Sequence, residues 1–261
     1  MKRFLLVILT TFTFILSTLG GELVLNGFYQ GENLFVKNPF ASSGVGFCVY
    51  EVSVNGLTTT DEINSSAFEV NLSVYGFKMG EELTIYIRYK DDCKPVVMNL
   101  QAISAKSTFA IKTIRLVADN IEWFTTNETG KLPFYIEQYR WNKWIRVGEV
   151  MGKGSTVQNS YSSPVRFNSG LNRFRVRQVD EAGKSRYSQE LTFTSDVKVV
   201  TFSPDRVDDV INFSSTTMYE IYDQFGNIVF KGYGNSVKVT DLKKGRYYLN
   251  YDNSMGEFIK K

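Results

Sequence analysis

The chain has 261 residues, 43% hydrophobic and 15% aromatic, with 30 Lys and Arg against 27 Asp and Glu for a formal net charge of +3. Histidine is absent, which excludes the Ser-His-Asp and Cys-His nucleophile arrangements and the His-based zinc and iron sites. Only 5 Pro and many β-branched and aromatic residues mark a folded protein, and about 240 residues beyond a leader predict two or three domains.

Lys2 and Arg3 precede an apolar run from Phe4 to Leu16, followed by small residues up to Gly20. This is the pattern of a secretory signal over residues 1–20, with the mature chain starting near Gly21. The run is shorter than the roughly 20 residues a membrane-spanning helix needs, and no Cys follows it to accept a lipid. The expected destination is the cell surface or the outer membrane, with the periplasm crossed in transit.

Period-two alternation dominates the chain from Gly21 onward. Residues 21–103 carry 5 Lys/Arg against 10 Asp/Glu and read as a β-sandwich with strands near Leu23–Phe28, Asn33–Lys37, Cys48–Val54, Ala67–Leu72 and Leu83–Tyr89. In the last of these, Leu83, Ile85, Ile87 and Tyr89 alternate with Thr84, Tyr86 and Arg88, so one face is buried. Cys48 and Cys93 are the only cysteines. An even pair within one exported module predicts a disulfide, closing a loop of about 45 residues and contributing a few kcal/mol.

Residues 104–195 are basic, 14 Lys/Arg against 8 Asp/Glu. Here Phe174, Val176 and Gln178 alternate with Arg173, Arg175 and Arg177, and Ala182-Gly183 marks a turn. In residues 196–261 the charges balance, 9 against 9. Strands are predicted around Tyr219–Tyr222, Ile228–Phe230, Val237–Val239 and Tyr247–Tyr251, with turns at Phe225-Gly226-Asn227 and Lys244-Gly245. The fold class predicted is all-β, tandem Ig-like/fibronectin-like β-sandwiches with a small C-terminal β-sandwich.

Two segments carry a family resemblance. Ile121-Glu122-Trp123-Phe124, Phe134-Tyr135-Ile136-Glu137, Trp144-Ile145-Arg146-Val147-Gly148 and the stretch from Asn172 to Lys184 together resemble the fibronectin type III-like module common in surface proteins that carry a type IX secretion signal. The resemblance implies that Trp123 is the large ring between two sheets and that Ala182-Gly183 turns the last hairpin. The tail resembles the C-terminal domain that addresses cargo to the type IX secretion system, through Asp209-Val210-Ile211-Asn212-Phe213, Ile221 to Val229, Val239 to Leu249 and the closing Phe258-Ile259-Lys260-Lys261. It departs from that family where a Pro-Asn-Pro element usually opens the domain, because Ser203-Pro204-Asp205 stands there. That departure leaves two fates open, a tail that is read and cleaved or a retained interaction module.

No G-x-S-x-G element occurs. Gly152-Lys153-Gly154-Ser155 lacks the spacing of a phosphate loop and reads as a hairpin. The carboxylate pairs Asp91/Asp92, Asp180/Glu181 and Asp208/Asp209 fall in turns, where solvation accounts for them, and no loop has EF-hand spacing. A non-enzyme without cofactor or resident metal is therefore expected.

Two sets of residues suit binding. Tyr139 and Trp141, with Trp144 beyond a turn at Asn142-Lys143, are placed for an exposed aromatic platform, with core packing as the competing reading. Arg173, Arg175, Arg177 and Arg186 are placed to line one hairpin face and meet carboxylate or phosphate, with a solvated sheet face as the competing reading. The expected partners are outer-membrane or cell-surface proteins and the type IX secretion machinery, with anionic glycan or lipopolysaccharide as the alternative and no nucleic acid.

Overall fold

A computed structural model describes residues 20–42, 44–90 and 93–261. The predicted leader, apart from Gly20, and the Asp91/Asp92 pair lie outside them. No α-helix occurs among the described residues, and none is long and apolar enough to cross a membrane. Two compact units form, one of residues 20–77 and 82–103 and the other of residues 78–81 and 104–261.

The first unit contains β1 (Gly21–Phe28), β2 (Leu34–Lys37), β3 (Val49–Val54), β4 (Leu57–Thr58), β5 (Ala67–Val70), β6 (Glu82–Tyr89) and β7 (Val96–Val97). They form two sheets, ordered β1-β6-β3-β4 and β5-β2-β7. Alternation along β6 places Leu83, Ile85 and Ile87 in one cluster with Leu34, Val36, Val52, Val54 and Val70. Each such side chain contributes roughly 1.5–3 kcal/mol when fully buried. The strand expected over Ala67–Leu72 ends at Val70, because Asn71 caps a 3₁₀ turn, Leu72–Tyr75, by accepting from the Ser73 amide. Asn55 and Gly56 both take positive φ in the two-residue link from β3 to β4, the conformation that Asn-Gly favours in a hairpin. At Gly27 a Cβ would lie 2.3 Å from the Ile103 carbonyl oxygen, which accepts from the Phe28 amide at 2.7 Å. A side chain there would push the end of this unit off β1.

The middle part of the second unit is a sandwich of β8 (Ala110–Val117), β9 (Asn120–Thr126), β10 (Pro133–Arg140), β11 (Lys143–Met151), β12 (Asn159–Pro164), β13 (Gly170–Val179), β14 (Ser185–Tyr187) and β15 (Leu191–Ser195). One sheet is ordered β12-β9-β8, and the other is β11-β10-β13-β14 with β15 also paired to β13. Strands one, two and five thus face strands three, four, six and the last hairpin, the two-layer arrangement of a fibronectin-like domain. Trp123 is fully buried between the layers, stacked on Tyr161 and edge-on to Phe134. Ala182-Gly183 turns the β13–β14 hairpin. Gly152 to Ser155 is no hairpin; it is the crossing from β11 to the opposite sheet. It is tied down by the buried Glu128, which accepts from the Gly154 amide at 2.9 Å and from the Tyr161 hydroxyl at 2.8 Å.

The C-terminal part contains β16 (Phe202–Ser203), β17 (Arg206–Val207), β18 (Val210–Tyr222), β19 (Ile228–Lys238), β20 (Gly245–Tyr251) and β21 (Ser254–Lys260). The two short strands expected at Ile228–Phe230 and Val237–Val239 are the ends of one long strand, β19, which Gly232 and Gly234 carry across the weakly apolar middle. A bulge between Asn212 and Thr217 bends the β18–β19 ribbon. Ile211 and Phe213 before the bend and Ile221 after it share one core with Leu249 and Phe258. A single six-stranded sheet therefore folds over on itself as the small C-terminal sandwich.

Cys48 and Cys93 are joined, with a sequence separation of 45, so the bridge ties the residue before β3 to the segment after β6. In the chain-entropy view a loop of that length contributes at most about 4 kcal/mol. Replacing both cysteines by Ser should lower the unfolding free energy of the first unit by about 2–4 kcal/mol in urea titrations, with the transition of the second unit unmoved.

Candidate functional site

The outer face of the β11-β10-β13-β14 sheet gathers most of the residues singled out in the sequence. Cross-strand register sets Tyr139 opposite Trp144, Glu137 opposite both Arg146 and Arg175, and Arg177 opposite Tyr187. Side chains on one face of a sheet recur every second residue, so Tyr139, Trp144, Arg173, Arg175, Arg177 and Tyr187 share that face. Arg173 stands 4.4 Å over the Tyr139 ring, while Arg175 sits between Trp144 at 4.1 Å and Tyr187 at 4.2 Å. Beneath them the buried Glu137 accepts from Arg175 Nε at 2.7 Å and from Arg177 Nη1 at 3.3 Å, and Glu190 holds Arg173 at 2.7 Å. Each guanidinium is thereby fixed in orientation, with donors left over. Stacking and ion pairing at such half-exposed positions contribute about 0.5–1 kcal/mol each.

Two of the predicted members fall elsewhere. Arg186 pairs in register with Gln178, on the opposite face, and donates to the Ser107 carbonyl at 2.8 Å. Trp141 does not continue the strand with Tyr139 but is itself the first residue of the hairpin turn: Trp141 and Asn142 have φ of 51° and 60° while Arg140, the last residue of β10, pairs with Lys143. The turn falls one residue earlier than Asn142-Lys143 would place it. Left-handed backbone in a bulky residue costs about 1–2 kcal/mol. Its indole Nε1 donates to the Asp252 carbonyl at 2.9 Å, so Trp141 has different neighbours from Trp144 and builds no platform with it.

That hydrogen bond opens onto a polar cluster where the middle sandwich meets the C-terminal module. Asp252 and Asn253 form the β20–β21 turn. The Asp252 carboxylate, 2% exposed, accepts from the Ser169 amide at 2.8 Å, the Val200 amide at 3.2 Å and the Ser169 hydroxyl. Asn253 Nδ2 donates to the Ser169 and Leu171 carbonyls, and its Oδ1 accepts from Asn168. Lys143 donates to Glu220 at 2.6 Å and to the Tyr222 hydroxyl at 2.9 Å. The alternation of β10 had a visible polar signal for this junction, since Phe134 and Ile136 on its inner face give way to Gln138 and Arg140. The Asp-Asn turn is the other legible mark.

Burial pushes the Glu220 carboxyl up, but hydrogen bonds from Lys143 and Tyr222 outweigh it and hold the group below its ordinary value of 4.5. Burial likewise pulls Lys143 down, and Glu220 and Tyr222 outweigh it, so that ammonium is held above 10.5. Of the candidate carboxylates, Asp180 serves as a turn residue, accepting from the Lys184 amide at 2.8 Å. No group of three or more Cys, Asp or Glu side chains that could hold a metal forms among the described residues.

No family model and no curated protein matches the chain. Among solved structures it is similar to a tetra-tandem repeat from the extending region of a large adhesion protein, at 11% identity and a TM-score of 0.32 over 92% of this chain and 72% of that one. It is also similar to the FN1–FN3 domains of chicken CNTN1, at 10% identity and a TM-score of 0.23 over 93% and 98%. A third likeness is to dimeric latent PorU from Porphyromonas gingivalis, at 11% identity and a TM-score of 0.24 over 92% and 31%. The strand order carries the fold: the chain is all-β, built of Ig-like and fibronectin-like sandwiches.

Asp252→Ala leaves two amides and a hydroxyl without an acceptor and should cost about 2–4 kcal/mol, splitting the calorimetric transition of the second unit into two. A carboxylate depressed in the fold contributes stability that is complete above its unfolded value and is lost as pH falls through the folded one. The Glu220 contribution is therefore present at neutral pH and lost on acidification below about 4.5, and Glu220→Gln should remove that part of the acid sensitivity in melting temperatures measured from pH 7 to pH 3.

Proposed function

We propose that this protein is a non-catalytic, exported component of the bacterial cell envelope that works by binding and scaffolding, docked on an outer-membrane or cell-surface protein. The observation that carries this reading is the arginine-aromatic face of the middle sandwich. Arg173, Arg175 and Arg177 are held by Glu137 and Glu190 and interleaved with Tyr139, Trp144 and Tyr187, so a partner meets donors already oriented and loses little side-chain entropy on binding. Arg and aromatic residues are the side chains that most often dominate docking energetics.

The leader-like N-terminus supports export, and the resemblance of residues 199–261 supports a link to the type IX secretion machinery, as cargo or as an accessory subunit. The buried Asp252 cluster favours the accessory role, because a tail that is removed would leave Ser169 and Asn168 without their partners. A carbohydrate-binding role, toward anionic glycan or lipopolysaccharide, is the second reading. It rests on the same arginines and is weaker for stacking on sugar, since Arg175 lies over the ring of Trp144.

Affinity capture from native membranes should recover a defined outer-membrane or surface partner with the wild-type chain. Arg175→Ala combined with Trp144→Ala should lower recovery at least about tenfold, while circular dichroism stays unchanged. Mass spectrometry of the recovered protein should find residues 196–261 still attached. Elution of the chain alone, or glycan-array binding lost in the same double variant, would move the assignment away from protein docking.

A further inference from the structure

Where the middle sandwich meets the C-terminal module, a cavity of about 560 Å³ opens, within the size range of small-ligand sites. Arg140 and Arg166 line it together with Val165, Phe167 and Met218, so cationic walls stand beside an apolar surface. Arg140 is unusual. It is 5% exposed, its Nε has no hydrogen-bond partner, and no carboxylate of the described residues forms an ion pair with it. Its Nη2 donates to Gln138 Oε1, and its guanidinium lies 5.6 Å from the centre of the Trp141 ring. Burial pulls the guanidinium down to about 10 despite the opposing fields of Asp252 and Glu220.

The nearby carboxylates do not fill the role of counterion. Asp252 is engaged by the Ser169 and Val200 amides and the Ser169 hydroxyl, Glu220 by the Lys143 ammonium and the Tyr222 hydroxyl, and Asp119 is exposed. Arg166 reaches the cavity from the β12–β13 connection, its guanidinium lying 4.4 Å over the Tyr233 ring of the C-terminal module. A buried guanidinium without a counterion is costly, and an oxyanion that accepts from it in a low-dielectric site removes most of that cost.

We propose that this cavity is a binding site for an oxyanion borne on an apolar body, a carboxylate or a phosphate group, with Arg140 as the buried anchor and Arg166 as the cationic wall at the surface. The apolar lining takes the body of the ligand. Because Arg166 and Tyr233 come from different modules, an occupied site links the two. The site is separate from the outer arginine-aromatic face, so its test is independent of the docking reading.

The experiment titrates the intact three-module chain with N-acetyl-leucine, N-acetyl-leucinamide and inorganic phosphate, following arginine Nε–H resonances by NMR. A saturable shift of the Arg140 and Arg166 signals with the acid or with phosphate, absent with the amide, is the expected result, and which anion acts identifies the source of the oxyanion. Arg166→Gln, at a surface residue whose replacement leaves the core intact, should weaken that binding about tenfold. Arg140→Lys, which keeps the charge but loses the fork, should weaken it as well. The proposal is overturned if neither anion gives a saturable shift, if the amide binds as well as the acid, or if Arg166→Gln binds unchanged.

Discussion

The second unit depends on one buried turn. Asp252 projects its carboxylate into a place where Ser169 and Val200 present amides with no other acceptor, while its carbonyl receives the Trp141 indole. Buried polar groups are tolerated only when their hydrogen bonds are complete, so the turn, the Ser169 loop and the Trp141 hairpin are each held in place by the others. This explains how a left-handed tryptophan persists: strain of about 1–2 kcal/mol is offset by a hydrogen bond that only this backbone shape permits.

The same constraint divides the middle sandwich by face. On β10 and β13 the inner positions begin as ordinary core, with Phe134, Ile136, Phe174 and Val176, and end in Gln138, Arg140 and Asn172 as they approach the C-terminal module. Asn172 accepts from Gln138 and from the Asn168 amide, and donates to the Asn168 and Gly170 carbonyls, so the amide-rich end is a closed network apart from Arg140. The outer positions of the same strands are arginines and aromatics fixed by Glu137. One pair of strands thus supplies a core, a module junction and a solvent-facing surface through period-two alternation alone.

The first unit solves a different problem. Its two sheets meet over a cluster of Val, Ile and Leu, and the Cys48–Cys93 bridge ties a residue at the edge of that core to the chain leaving β6. Residues 21–103 are acidic in composition and residues 104–195 basic, and the arginine-aromatic face lies on the middle sandwich.

Much of this was legible in the chain itself. Alternation at Leu83 to Tyr89 and at Arg173 to Gln178 is a local property, because side chains in an extended strand must point to opposite sides whatever they pack against. The all-β class and the disulfide follow from such local patterns and from the pairing of the only two cysteines, and the burial of Trp123 was implied by the resemblance to a fibronectin type III-like module. Other features depend on what lies across a gap in space. The turn at Trp141-Asn142 falls where register with β11 puts it, the long β19 is one strand because β18 pairs along its whole length, and Arg186 faces away from the other arginines because of its pairing with Gln178. Asp252 and Arg140 lie 112 positions apart in sequence, and nothing local in either segment points to the other. Only the folding of the C-terminal sheet against the middle sandwich brings a carboxylate to its donors and leaves a guanidinium in the wall of a cavity.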